Sequence, residues 1–118
     1  MTTKVLAIDD SRTIRNLLRV SLEGAGFEFH SACDGQEGVE VFPDVDPDVV
    51  ITDINMPKMD GFGVIDSLRS GPNRTTVPIL VLTTESSDEL KAREPDRVYR
   101  RAKSSEGKLW KRETLGTV

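Results

Sequence analysis

Three apolar runs in this chain stop abruptly at side chains that could do chemistry. Lys4–Ile8 runs into Asp9 and Asp10, Val49–Thr52 into Asp53, and Val77–Leu82 into Thr83. Gathered carboxylates repel one another, so a cluster of three calls for a hard cation. All-oxygen ligation of this kind suits Mg2+, which takes one or two carboxylates together with waters and a substrate phosphate. A carboxylate beside that ion is a nucleophile toward phosphorus and forms an aspartyl phosphate. Thr83 could then hydrogen-bond a phosphoryl oxygen, and Lys103 is the natural candidate to balance the charge. The commonest role of a single aspartate is a helix cap or a turn, and Thr83-Thr84 before Glu85-Ser86-Ser87 also suits a cap. The site reading rests on their shared position, since open α/β sheets bind ligands beyond the carboxyl ends of their strands.

The elements that would hold these residues alternate along the first ninety positions. A buried parallel strand is expected over 4–8. Ser11 then caps a helix whose Ile14, Leu17, Leu18 and Leu22 share one face, and Gly24 and Gly26 stop it. A second strand is predicted over 27–32, closed by Asp34-Gly35, and a short helix over 36–42, ended by Pro43. The third strand, 49–52, leads into the loop Met56-Pro57-Lys58-Met59-Asp60-Gly61. A helix using Phe62, Val64, Ile65 and Leu68 follows, then a fourth strand over 77–82 and a helix capped by Ser86 or Ser87. Strands alternating with helices specify a parallel sheet covered on both faces.

Composition narrows the function. The chain has 118 residues, fitting a single domain over 1–118, and one cysteine, Cys33, which excludes an internal disulfide or a multi-cysteine zinc site. Neither a leader nor a membrane segment is legible, so a cytoplasmic location is expected and no membrane partner. A net charge of -4 argues against a nucleic-acid partner. That charge is uneven: residues 1–90 carry -9 and residues 91–118 carry +5. His30 reads as a surface or packing residue, and Cys33 as a small side chain with no redox task.

Asp9-Asp10 after an apolar strand, Asp53 within Ile51-Thr52-Asp53-Ile54-Asn55-Met56-Pro57, the following Asp60-Gly61, and Thr83 resemble the receiver domain of two-component response regulators. The resemblance covers residues 4–90 and is most like stand-alone chemotaxis regulators. It implies a doubly wound, flavodoxin-like α/β fold, with five parallel strands in the order 2-1-3-4-5 and helices on both faces. It implies that Asp53 takes a phosphoryl group from a sensor histidine kinase, and that Asp9, Asp10, Asp53 and the Asn55 backbone carbonyl hold Mg2+. Thr83 becomes the switch hydroxyl and Lys103 a phosphate contact, with Tyr99 a candidate aromatic switch. The protein would be a monomer or weak dimer that turns over no outside substrate. A flagellar motor switch protein would be its second partner.

The resemblance fails over 91–118. Arg100 stands where the aromatic switch belongs, Ser104 replaces the proline expected after the lysine, and Leu109, Trp110 and Leu115 make no clean stripe for a final helix. A shifted reading frame and genuine divergence both account for the change. Adjacent Arg100 and Arg101 do not suit a strand covered on both faces, so either this strand is a frayed edge or its alignment with the family's fifth strand is wrong. Two other functions fit parts of the pattern. A haloacid-dehalogenase-type phosphatase also uses an aspartyl nucleophile, but it needs a second aspartate where Asn55 stands. A phosphorylation-independent binding module would suit the altered tail.

Overall fold

The computed structural model describes residues 2–72, 74–83, 89, 92, 99–102 and 109–113, the last two stretches and Thr83 by their backbone. Four strands, β1 (Lys4–Ile8), β2 (Glu28–Ala32), β3 (Val49–Thr52) and β4 (Ile79–Thr83), lie parallel in the order β2-β1-β3-β4. Their residues alternate between the two faces, as the pleat requires. Leu6, Ile8, Val50, Ile79 and Val81 enter one core with Phe42, Phe62, Ile65 and Leu68. Val5, Ala7, Ile51 and Leu82 enter the other with Leu18. The first core is roofed by α2 (Gly35–Val45) and α3 (Gly61–Ser70), the second by α1 (Arg12–Gly24). This is the doubly wound, flavodoxin-like arrangement that the sequence predicts.

The helices begin on side-chain caps. The Ser11 hydroxyl accepts from the Ile14 amide at 3.3 Å, Asp34 from Glu37 at 2.8 Å and Asp60 from Gly63 at 2.8 Å. Two local expectations are corrected. Leu17 does not share the core-facing side of α1: it is 55% exposed, and Leu18 alone is fully buried there. At 100° per residue, Leu17 falls outside the arc of Ile14, Leu18 and Leu22. Pro43 does not end α2, which continues to Val45 and stops at Asp46 in the left-handed region, φ 51°. A proline so near the end forfeits one amide and leaves little helix beyond it to disrupt.

The far edge of the sheet also differs from the expected fifth strand. Two further strands, β5 (Tyr99–Ala102) and β6 (Leu109–Glu113), complete a six-stranded order β2-β1-β3-β4-β6-β5. β6 lies antiparallel to β4, and β5 antiparallel to β6. β5 therefore runs in the direction foreseen for a fifth parallel strand but stands one place further out. A parallel neighbour needs a long crossover, whereas two antiparallel strands need only a short connection. The outer place also suits Tyr99-Arg100-Arg101-Ala102, because an edge strand can keep charge in water. The helix expected after Ser86 or Ser87 lies largely outside the described residues; Glu89 and Ala92 are helical.

Candidate functional site

Register brings the acidic residues together. β1 and β3 are neighbours with Ile8 beside Thr52, so the residues that follow, Asp9 and Asp53, emerge side by side. The Asp53 amide donates to the Ile8 carbonyl at 3.0 Å, and the Asp9 amide to the Ala32 carbonyl at 3.1 Å, which extends the ladder across the site. Carboxylate oxygens of Asp9, Asp10 and Asp53 all lie within 4.8 Å of one another. Asp9 is buried, 4% exposed, while Asp53 is half-buried and Asp10 exposed.

Each carboxylate is aimed by the backbone. An Asp9 oxygen accepts from the Ser11 amide at 2.8 Å, and an Asp53 oxygen from the Ile54 amide at 2.7 Å. The Arg15 guanidinium donates to the Asp9 carbonyl at 2.7 Å, tying the start of α1 to the site. Three converging carboxylates, partly sunk at the mouth of a sheet, form an all-oxygen donor set. That set fits a small hard divalent cation.

The loop after Asp53 returns tightly. The Gly61 amide donates to the Ile54 carbonyl at 2.8 Å, and a Cβ at Gly61 would stand 2.2 Å from the Asp53 carbonyl oxygen. Only glycine permits that approach. Asn55 is exposed in this loop, directly after Ile54.

The remaining predicted residues are placed differently. Thr83 ends β4, on the same side of the sheet as the acidic cluster, and pairs across to Leu109. Tyr99 pairs with Glu113, and Arg112 with Leu80, so the Tyr99 backbone lies toward the opposite end of the sheet from Thr83, with β6 between. The structure does not bring Tyr99 to the site. Ala102, at the level of Leu82, does reach the site's end of the sheet two strands out; Lys103 lies outside the described residues.

Against this geometry, the family model of the response regulator receiver domain matches residues 5–96. The chain belongs to the response regulator receiver domains. The receiver is 39% identical over 88 residues to a Rhizobium etli protein named "Probable chemotaxis protein CheY", covering 74% of this chain and 68% of that one. Among solved structures, chemotaxis protein CheY4 of Vibrio cholerae is 41% identical with a TM-score of 0.72, over 78% of this chain and 77% of that one. A regulator named ycf27 from Porphyridium aerugineum, described as a probable transcriptional regulator, is 41% identical over 70% of this chain. There the match spans only 33% of the relative's length. The receiver is thus CheY-like in sequence and fold, and its acidic cluster stands where receiver domains generally bind Mg2+.

Sequence reasoning passed over Asp34 and Lys58. By sequence, Asp34 reads as the close of the second strand. It caps α2, accepts from Glu37, and has Lys58 Nζ 3.8 Å from its Oδ2. The signal was present: Asp34-x-x-Glu37 has capping-box spacing, and Glu37 Oε1 reaches back to accept from the Cys33 amide at 2.9 Å. The Glu37 amide, opposed by burial and helped by Lys58, holds the Asp34 carboxyl below its ordinary 3.8. Cys33 is exposed, yet partial desolvation, then the Glu37 and Asp34 carboxylates, raise its thiol above 9.0. No helix among the described residues is long and apolar enough to cross a membrane.

Proposed function

We propose that this chain is a Mg2+-dependent phosphoacceptor switch in which Asp53 receives the phosphoryl group. The observation that carries the reading is the convergence of Asp9, Asp10 and Asp53 within 4.8 Å at the ends of adjacent strands. Asp9, Asp10, Asp53 and the Asn55 carbonyl would hold Mg2+, whose charge would offset the repulsion between a phosphoryl donor and a carboxylate. An Asp53 oxygen attacks phosphorus in line with the leaving group. The new P–O bond forms as the P–N bond to a phosphohistidine breaks, and the electron pair stays on the departing imidazole, which takes up a proton. The Ile54 amide fixes the attacking carboxylate, and the roles proposed for the Thr83 hydroxyl and Lys103, as contacts to the phosphoryl oxygens, rest on the resemblance to receiver domains. Catalysis here is positioning and charge compensation.

The donor is a cytoplasmic sensor histidine kinase. The chain turns over no outside substrate; its product is its own altered surface. The Rhizobium and Vibrio likenesses support a place in chemotaxis; a flagellar motor switch protein is the output partner we propose for it. A second reading, a binding module that works without phosphorylation, draws support from the place beside β4 being filled by β6.

Intact-protein mass spectrometry after incubation with Mg2+ and acetyl phosphate decides between them. The acceptor reading expects one added phosphoryl group, absent in Asp53→Ala. A folded wild type that gains none would leave the binding module.

A further inference from the structure

The loop that follows Asp53 is held from outside by the start of α2. The Met59 amide donates to the Pro57 carbonyl at 2.7 Å, closing a three-residue turn around Lys58. Lys58 has φ 66°, in the left-handed region, which makes this the rarer and more strained hand of such a turn. A lysine gains nothing intrinsically from that conformation; glycine or asparagine would adopt it more readily.

Two neighbouring residues of the α2 start supply the support. Asp34 Oδ2 lies 3.8 Å from Lys58 Nζ, and the Asp34 side chain is 8% exposed against 66% for Lys58. Its other oxygen is already fixed by the Glu37 amide, so the carboxylate presents one set face to the loop. At Gly35, a Cβ would stand 2.1 Å from the Met59 carbonyl oxygen and 2.9 Å from the Met59 Cβ. The α2 start and residues 58–59 therefore meet backbone to backbone, with an ion pair beside the contact. The loop's other anchor is the Gly61 amide on the Ile54 carbonyl. Between the two anchors lies Asn55, next to the strand end that carries Asp53.

We propose that Lys58 is a positioning residue for phosphoryl uptake: seated on Asp34 beside Gly35, it holds the loop in the shape that keeps Asp53 and the Asn55 carbonyl in register with Asp9 and Asp10. Lys58 touches no reacting atom and acts through the loop. The inference rests on the acceptor reading above. An exposed ion pair contributes little binding energy of its own. Its part is to select one loop shape, and a misplacement at a metal site is felt in affinity and rate.

The test compares wild type, Lys58→Met, Lys58→Arg, Asp34→Asn and the Lys58→Met/Asp34→Asn double variant. Asparagine preserves the α2 cap while removing the charge. Mg2+ affinity is read by calorimetry, phosphoryl uptake from acetyl phosphate by mass spectrometry, and folding by urea midpoint. Lys58→Met is expected to weaken Mg2+ binding and slow uptake by roughly three- to tenfold, short of the loss seen when buried outer-shell partners of a metal site are removed. Lys58→Arg should recover most of both, and the double variant should lose no more than Lys58→Met alone. Indifference to Lys58→Met, equal losses in the Met and Arg variants, or losses that multiply in the double variant would overturn the proposal. A wild type that binds Mg2+ but takes no phosphoryl group would instead sink the acceptor reading. In that event the calorimetric comparison still judges the role of Lys58 in shaping the cation site.

Discussion

Beneath α2 and α3, strand residues Leu6, Ile8, Val50, Ile79 and Val81 vanish into one core with Phe42, Phe62, Val64, Ile65 and Leu68, all buried. Beneath α1 the buried set shrinks to Val5, Ala7, Leu18, Ile51 and Leu82, while Phe27, Phe29, Val49 and Leu80 are only partly covered. Leu17 and Val20 on α1 are 55% and 69% exposed. Among the described residues, the same sheet thus has one face packed as a core and one roofed by one amphipathic helix. The site draws on both: Asp53 leads into the loop that starts α3, and Asp9 is held through Arg15 and Ser11 at the start of α1. Among the described residues, more of the buried apolar packing lies under α2 and α3 than under α1, whose start also aims Asp9.

Truncation on each face measures the difference. Ile65→Ala, at a fully buried position, should cost ~2–5 kcal/mol in urea unfolding. Leu18→Ala, under the open face, should fall at or below the low end of that range, about 2 kcal/mol, because its surroundings are already partly hydrated. If Leu18→Ala matched or exceeded Ile65→Ala, the asymmetry between the faces would be wrong.

The polar rim of the closed face gives a smaller, pH-dependent effect. Asp34 has its carboxyl held below 3.8 in the folded state, so its contribution is fully present above that pH and is lost as the pH falls through the lower folded value. Stability measured from pH 6 down to pH 2 should therefore decline less steeply below about 3.8 in Asp34→Asn than in wild type. Parallel acid limbs would remove Asp34 from the account. Smallest of all is Leu17→Ser, expected within about 0.5 kcal/mol of wild type in the same urea experiment. A large loss there would mean that α1 is covered in solution.

Much of this asymmetry was open to sequence reasoning. β1 and β3 were legible because an unbroken apolar run ending at an aspartate has few other uses in a chain that alternates strands with helices. The acidic cluster followed as soon as those two strands were neighbours. Ile14, Leu17, Leu18 and Leu22 span an arc of about 140° at 100° per residue, and periodicity alone does not say that Leu17, at its margin, is the one left in water. Pro43 misled for a related reason: a proline weakens a helix by a local amount, and packing of Phe42 against the sheet outweighs it. The order of β5 and β6 was not legible at all. It depends on pairing between distant segments whose residue types, Arg100-Arg101 and Lys111-Arg112, suit an edge better than an interior. Asp34 and Lys58 were visible only as a cap and a surface cation until the approach of Gly35 to Met59 set them side by side.

β2 stands at the opposite margin of the sheet from β5, with no strand beyond it among the described residues. A row of backbone groups in that position is a template on which another molecule's strand can add, and so a seed for aggregation. Here the strand is five residues long, and Glu28 and His30 project from the same side of its pleat with 2.6 Å between Oε2 and Nε2. An incoming strand would have to strip water from both groups to dock. The margin is thus protected against edge-to-edge growth by two side chains remote from the acidic cluster, so the colloidal behaviour of this protein can change by mutation without touching its signalling chemistry.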